Sequence, residues 1–156
     1  VIPSAYPLAR GLHVISVVLW IGGVSFVTLV LLPTLRRQLP PPDQYPMFER
    51  LERPFAAQAR VWVTLAFLTG WWMLELTGGW ARLWATPWLL VMASAWVPFA
   101  LMLFLLEPLV VHRLLADLAV RDPAAAMSRV QLLHVGLLAW SMSAVGAAVI
   151  GAHGGL

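Results

Sequence analysis

The sequence contains no cysteine, which removes disulfides, thiolate metal sites and cysteine nucleophiles together. It contains no lysine either, so its ten cationic residues are all arginines. Charge of any kind is scarce: 11% of the 156 residues are charged against 61% hydrophobic, with a mean hydropathy of +0.83. One soluble core cannot hide that much apolar surface in a chain of this length. Soluble catalytic signatures are missing as well. There is no glycine-rich phosphate loop, no serine nucleophile elbow and no His-Glu-x-x-His helix, so the residues alone do not make the chain an enzyme.

What the sequence does have is apolar runs. About 20 such residues cross the hydrocarbon of a bilayer, and four stretches qualify: 8–32, 59–76, 88–111 and 130–150. They predict an all-α fold, one transmembrane domain over 1–156 built as an antiparallel four-helix bundle in the lipid bilayer. The first stretch is too long and too weakly basic at its front for a cleaved signal, and is read as a retained helix. Arginine placement sets the orientation. Arg36, Arg37, Arg50, Arg53 and Arg60 lie in or beside the first connection and Arg113, Arg121 and Arg129 in the third, leaving only Arg10 and Arg82 opposite. Both termini are therefore expected outside the cytoplasm. In this setting the cations serve topology and lipid headgroups rather than nucleic acid. "LPPPDQYP" is too rich in proline for a continuous helix, "MFERLERPF" suits a short amphipathic helix on the inner surface, and the third connection stops and restarts a helix at Asp122-Pro123.

Four histidines stand in or beside these spans. At about 1.5 Å per residue, His13 lies roughly 7 to 8 Å inside the outer end of span one, and His153 sits at or just past the outer end of span four. His112 closes span three on the inner side, and His134 is about one turn into span four. The outer pair, His13 with His153, and the inner pair, His112 with His134, each have the geometry of two imidazoles sharing one iron. His13 shares its face with Ser16, Val17 and Trp20, and His134 with Leu137, Leu138, Ser141 and Met142. Each pattern has a plainer explanation. The small residues Ser16, Gly23, Ser141, Ser143 and Gly146 serve membrane helix packing equally well, and His13 could simply bond a serine or a backbone carbonyl. His112 could be a cationic helix end, and His153 lies in a terminus that frays.

Trp80, Trp84 and Trp88 crowd the outer boundary as an aromatic belt does, whereas Trp20 and Trp140 fall mid-span, either in the core or against a cofactor. Glu75 is placed to pair with Arg10 or Arg82, and Glu107 with Arg113 or Arg129; ion pairing is the default, proton delivery the functional alternative. Arg10, three residues before His13, shares its face and suits a haem propionate.

"RGLHVISVVLWIGGVSFVTLVLLPTLRR" resembles the first helix of the copper-resistance-D (CopD) family and of the related HemJ-type protoporphyrinogen oxidases, and "ARVWVTLAFLTGWWML", with Arg60, Thr69 and Gly70, is similar to the following helix of the CopD group. The second half is similar only in topology. The HemJ-like resemblance implies haem b, with His13 a ligand candidate, but the lysine features of that group have no counterpart here. The CopD-like resemblance implies copper passage, with Met73, Met102 or Met142 beside His13 as a soft-metal route. Three functions follow as expectations for a multi-pass protein of the bacterial cytoplasmic membrane. One is an electron carrier or oxidoreductase subunit binding one or two haem b groups through His13, His153, His112 and His134, with Arg10 on a propionate and a redox partner beside it. The alternatives are a copper permease and a cofactor-free accessory subunit packed against other membrane subunits.

Overall fold

The computed structural model describes residues 4–153, apart from the side chains at positions 108, 110 and 112. Among the described residues there is no strand, and nearly all are helical. Helix α1 is Tyr6–Gln38, α2 is Pro41–Glu75, the short α3 is Gly79–Ala85, α4 runs over 87–121, and α5 is Pro123–Ala152. Three helices are long and apolar enough to cross a membrane, Tyr6–Gln38, Pro87–Glu107 and Pro123–Ala152. They contain the expected spans 8–32 and 130–150 and most of 88–111, and are consistent with a membrane protein. The fourth, 59–76, lies in α2, where Arg60, Glu75 and the indoles of Trp62, Trp71 and Trp72 dilute its hydropathy.

The first connection differs from expectation. The chain is extended only at Leu39 and Pro40, and α2 begins at Pro41 and continues through Pro46 and Pro54. Prolines in a first helical turn lack only N–H groups that have no partner there anyway. "MFERLERPF" is accordingly not a separate surface helix but the start of α2. Gln44, itself buried, closes the end of α1 by donating Nε2 to the Leu39 carbonyl at 2.9 Å, satisfying one of the carbonyls a helix end leaves over. At the other restart the expectation holds: Asp122 accepts from Ala125 N–H at 3.0 Å, with Pro123 next to it.

The long helices bury small hydroxyl residues within an apolar interior and expose large apolar side chains. Ser16, Thr28, Thr69 and Ser141 are buried, while Leu8, Val18, Leu29, Leu109 and Leu132 are each more than half exposed. Water would penalise that pattern, and lipid favours it. The buried hydroxyls bond back to their own helices: Ser16 to the Leu12 carbonyl, Thr28 to Val24, Thr69 to Leu65 and Ser141 to Leu137, all at 2.6 to 2.8 Å. Helices α1 and α2 run antiparallel along a seam of small residues, with Ala56, Ala59, Val63, Ala66 and Gly70 on α2 facing Trp20, Ile21 and Val24 on α1. Small residues let the backbones approach, and dispersion contacts replace a hydrophobic drive that lipid does not supply. A second core, at the end carrying Arg36 and Arg37, joins Leu32, Leu35, Tyr45, Phe48, Met127 and Val130.

Two segments are wound as π turns, Val27–Leu31 and Leu101–Val111. Each leads to or contains a proline, Pro33 in the first case and Pro108 in the second, a residue type that a regular helix ladder does not suit and a widened turn tolerates. It also strands a carbonyl. In a π turn the carbonyl of residue i takes the N–H of i+5, and the residues five before these prolines are Thr28 and Leu103. Neither proline has an N–H to give. Both carbonyls are filled from another helix: Gln131 Nε2 of α5 donates to Thr28 at 3.1 Å, and Arg60 Nε of α2 donates to Leu103 at 3.0 Å.

Two adjacent glycines test the packing. A Cβ at Gly23 overlaps the Phe55 ring, whereas one at Gly22 meets nothing. Gly23→Ala is expected to lower stability by about 1 to 3 kcal/mol, and Gly22→Ala to leave it unchanged or slightly raised. Thermal unfolding of both variants in one detergent measures the difference, and equal melting temperatures would refute this seam.

Candidate functional site

His13 reaches across from α1 to α2. Its Nδ1 lies 2.9 Å from the Ala66 carbonyl and 3.1 Å from Thr69 Oγ1, and Gly70 leaves room for the ring, since a Cβ there would stand 3.3 Å from His13 Cε1. A carbonyl only accepts, so the proton sits on Nδ1 and the neutral ring keeps its lone pair on Nε2. His134 has the same tautomer by a local route, its Nδ1 donating to the Val130 carbonyl at 2.9 Å. His153 donates Nδ1 to Val149 at 2.7 Å and is exposed at the end of α5. His112 opens the last segment of α4, but its side chain lies outside the described residues.

The expected histidine pairs therefore fare differently. His13 engages α2, while His153 bonds back to its own helix. Arg10 is exposed one turn from His13. Among the described residues no three His, Asp or Glu side chains converge as a metal site. Of the two mid-span indoles, Trp20 is buried and Trp140 is half exposed toward the outside. Trp80 and Trp84 are exposed at the end opposite Arg36 and Arg37, as a belt requires.

The chemistry gathers elsewhere. A cavity of about 80 Å³ lies among α1, α2, α4 and α5, lined by His134, Tyr45, Glu49, Glu52, Glu107 and Trp20 together with apolar side chains. His134 is held at its wall by an edge-on contact with Phe48, ring centres 5.8 Å apart. Arg60 organises the carboxylates: while Nε fills the Leu103 carbonyl, Nη2 pairs with Glu107 Oε1 at 3.3 Å. Glu107 is thus paired with α2 and not through the expected Arg113 or Arg129, because the π turn brings its own helix to Arg60. Glu75 in turn takes the Trp71 indole N–H at 2.9 Å, a neighbour one turn away on its own helix.

Glu52 lies before the apolar part of α2, facing this group. Burial, then the Glu107 charge, raises its carboxyl to about 7, with Glu49 adding to the rise and Arg60 opposing it. Tyr45 is pushed up to about 12 by burial and by the Glu49 and Glu52 charges, so it stays a hydroxyl donor. Glu49 and Glu52 escaped the sequence reading because "MFERLERPF" reads as an amphipathic helix on the inner surface, and Tyr45 because it falls in the proline-rich stretch before it. The usable signal was spacing: Glu49, Glu52, Ala56 and Arg60 form a three-and-four stripe that continues the small-residue seam.

No protein-family profile, curated protein or solved structure matches the chain.

Arg60 holds two partners at once, so its loss should exceed that of a surface pair. Arg60→Leu leaves the Leu103 carbonyl without a donor and removes the cation facing Glu107, an expected loss of about 1 to 3 kcal/mol. Arg60→Lys keeps the charge and should lose less. Glu107→Gln combined with Arg60→Leu should recover part of the loss in a double-mutant cycle of melting temperatures, and strict additivity would refute the coupling.

Proposed function

We propose that the chain is a multi-pass protein of the bacterial cytoplasmic membrane with four antiparallel spans, both ends outside, and that it exchanges protons with the cytoplasm at the Glu52–Glu107–Arg60 site, as a subunit of proton-coupled transport or redox machinery. The arginines collected at one end, the indoles at the other and the apolar outer faces support the topology. The single observation that carries the function is a carboxyl, Glu52, held near neutral proton affinity beside a second carboxylate, on the wall of a cavity that reaches the helix interior. Carboxyls so tuned are the usual means of accepting and releasing a proton at physiological pH. The exposed apolar flanks suit contact with other membrane subunits as well as with lipid.

A second reading, haem b as the cofactor of an electron carrier, is favoured by one observation. His13, His134 and His153 each commit Nδ1 to a backbone carbonyl, the arrangement that leaves Nε2 for a metal. The resemblance to the HemJ-like group points the same way. Space argues against it: a site for a group of that size takes roughly 300 Å³ or more, the cavity at His134 is about 80 Å³, and the packed helices do not fit a porphyrin there. A Soret band in the purified protein, lost in His134→Ala or His13→Ala, would nevertheless establish this reading. For the copper reading, Met73 follows by three residues the Gly70 that faces His13 on α2, whereas Met102 lines the inner cavity and Met142 is half exposed on α5.

The proton reading predicts a pH signature. Between pH 4.5 and about 7 the folded chain keeps a proton on Glu52 that the unfolded chain has released. That contribution to stability is full below this window and is lost as pH rises through it. At about 1.4 kcal/mol per pH unit, reduced by solvent screening, the loss is expected at roughly 1 to 3 kcal/mol. Glu52→Gln should flatten the dependence, and infrared difference spectra should show a carboxyl band that titrates near neutrality and vanishes in that variant. A band titrating only near the ordinary carboxylate range would defeat the reading.

A further inference from the structure

The cavity has one feature that proton exchange at its mouth does not use. Trp20 lines it, is 5% exposed, and its indole N–H finds no acceptor in the protein. A buried donor left without a partner is costly, about 1 to 3 kcal/mol, and a membrane chain has little reason to keep one where phenylalanine would pack. The same cavity presents acceptors: the Glu49, Glu52 and Glu107 carboxyls and the Nε2 lone pair of His134. A metal cation would satisfy the acceptors and leave the N–H unmatched. An anion would satisfy the N–H and meet three carboxyls. Water does both, donating to the carboxyls and the imidazole and accepting from the indole.

Size and length agree with that choice. Water occupies about 30 Å³ in the liquid, so a cavity of about 80 Å³ takes two or three molecules. The lining runs along α2 from Tyr45 to Ala59, about 21 Å at 1.5 Å per residue, and its inner part from Glu52 to Ala59, about 10 Å, is a length that three hydrogen-bonded waters span. The second π turn borders this region, through Met102, Leu103 and Glu107, and widened turns of this kind recur at functional sites.

We infer that the cavity is a water-filled inlet, leading from Glu49 and Glu52 past His134 to the Trp20 indole in the middle of α1. It deepens the proton-exchange reading and shares its cavity, but the presence of water stands apart from the titration of Glu52.

The absence of cysteine allows a direct test. Single cysteines replace Met102 and Leu137, which line the cavity, Leu101, which faces outward next to Met102, and Val120, 86% exposed. Full-length variants in membrane vesicles are treated with silver ion, about the size of water and reactive only with solvated thiolate, and the remaining thiols are then counted with a maleimide after denaturation. Met102→Cys and Leu137→Cys are expected to react within about tenfold of Val120→Cys, and Leu101→Cys about a hundredfold more slowly. Two cavity positions guard against one misfolded variant. If both react as slowly as Leu101→Cys, the cavity is dry and the inference is overturned. Fast reaction at both, with no carboxyl titrating near neutrality, sustains the water inlet and removes the proton-exchange reading alone.

Discussion

Two backbone carbonyls constrain the rest of this structure. Pro33 and Pro108 withhold the N–H groups that the π turns would otherwise direct to Thr28 and Leu103, and a carbonyl left over in this way needs a donor from elsewhere in the fold. Gln131 and Arg60 supply the missing donors from neighbouring helices. These bonds fix more than their own energies. A helix that must present a donor at one depth on one face has its rotation and its height fixed against its partner.

The carboxylate site follows from the second of them. Arg60 is anchored at Leu103 by Nε, so its remaining nitrogens fall beside the side chain one turn further along α4, which is Glu107. A guanidinium satisfies two such acceptors from one planar fork, and an ammonium does not. Glu52 is two turns before Arg60 on the same face of α2, so it arrives opposite a carboxylate whose cation is already engaged. Its raised proton affinity is thus a consequence of backbone repair next door, with burial the larger cause and the neighbouring charge the second.

Much of the scaffold was legible in the residues. Run lengths located the long helices, and arginine and tryptophan placement distinguished their two ends, because both signals depend on composition averaged over turns. The histidine site was less so. The partner of His13 is a carbonyl on α2, and carbonyls leave no trace in a sequence. Glu49 and Glu52 read as part of a surface helix because α2 was expected to begin near Ala59. Three prolines in a row do mark a break, at Leu39 and Pro40, but the helix restarts within them at Pro41, where first-turn prolines are tolerated. The stranded carbonyls were in principle readable, as the fifth residue before each mid-helix proline, but only once the turn type is known.

The polar crossings between helices share one form. His13 to Ala66, Trp96 to Val63, Gln131 to Thr28 and Arg60 to Leu103 each send a side-chain donor to a backbone carbonyl on another helix. A side-chain pair would take two polar groups out of water to make one bond, whereas a helix carbonyl is already there and has a second lone pair to offer. Using the backbone as the acceptor halves the number of polar side chains the interior must hold. It also explains why so few charged residues suffice and why the exceptions cluster. Once three helix contacts are made by donors to carbonyls, a carboxylate is no longer needed to hold helices together. Glu107 is the exception, pairing with Arg60 between α4 and α2, and Glu52 beside it is the carboxyl left with a raised proton affinity.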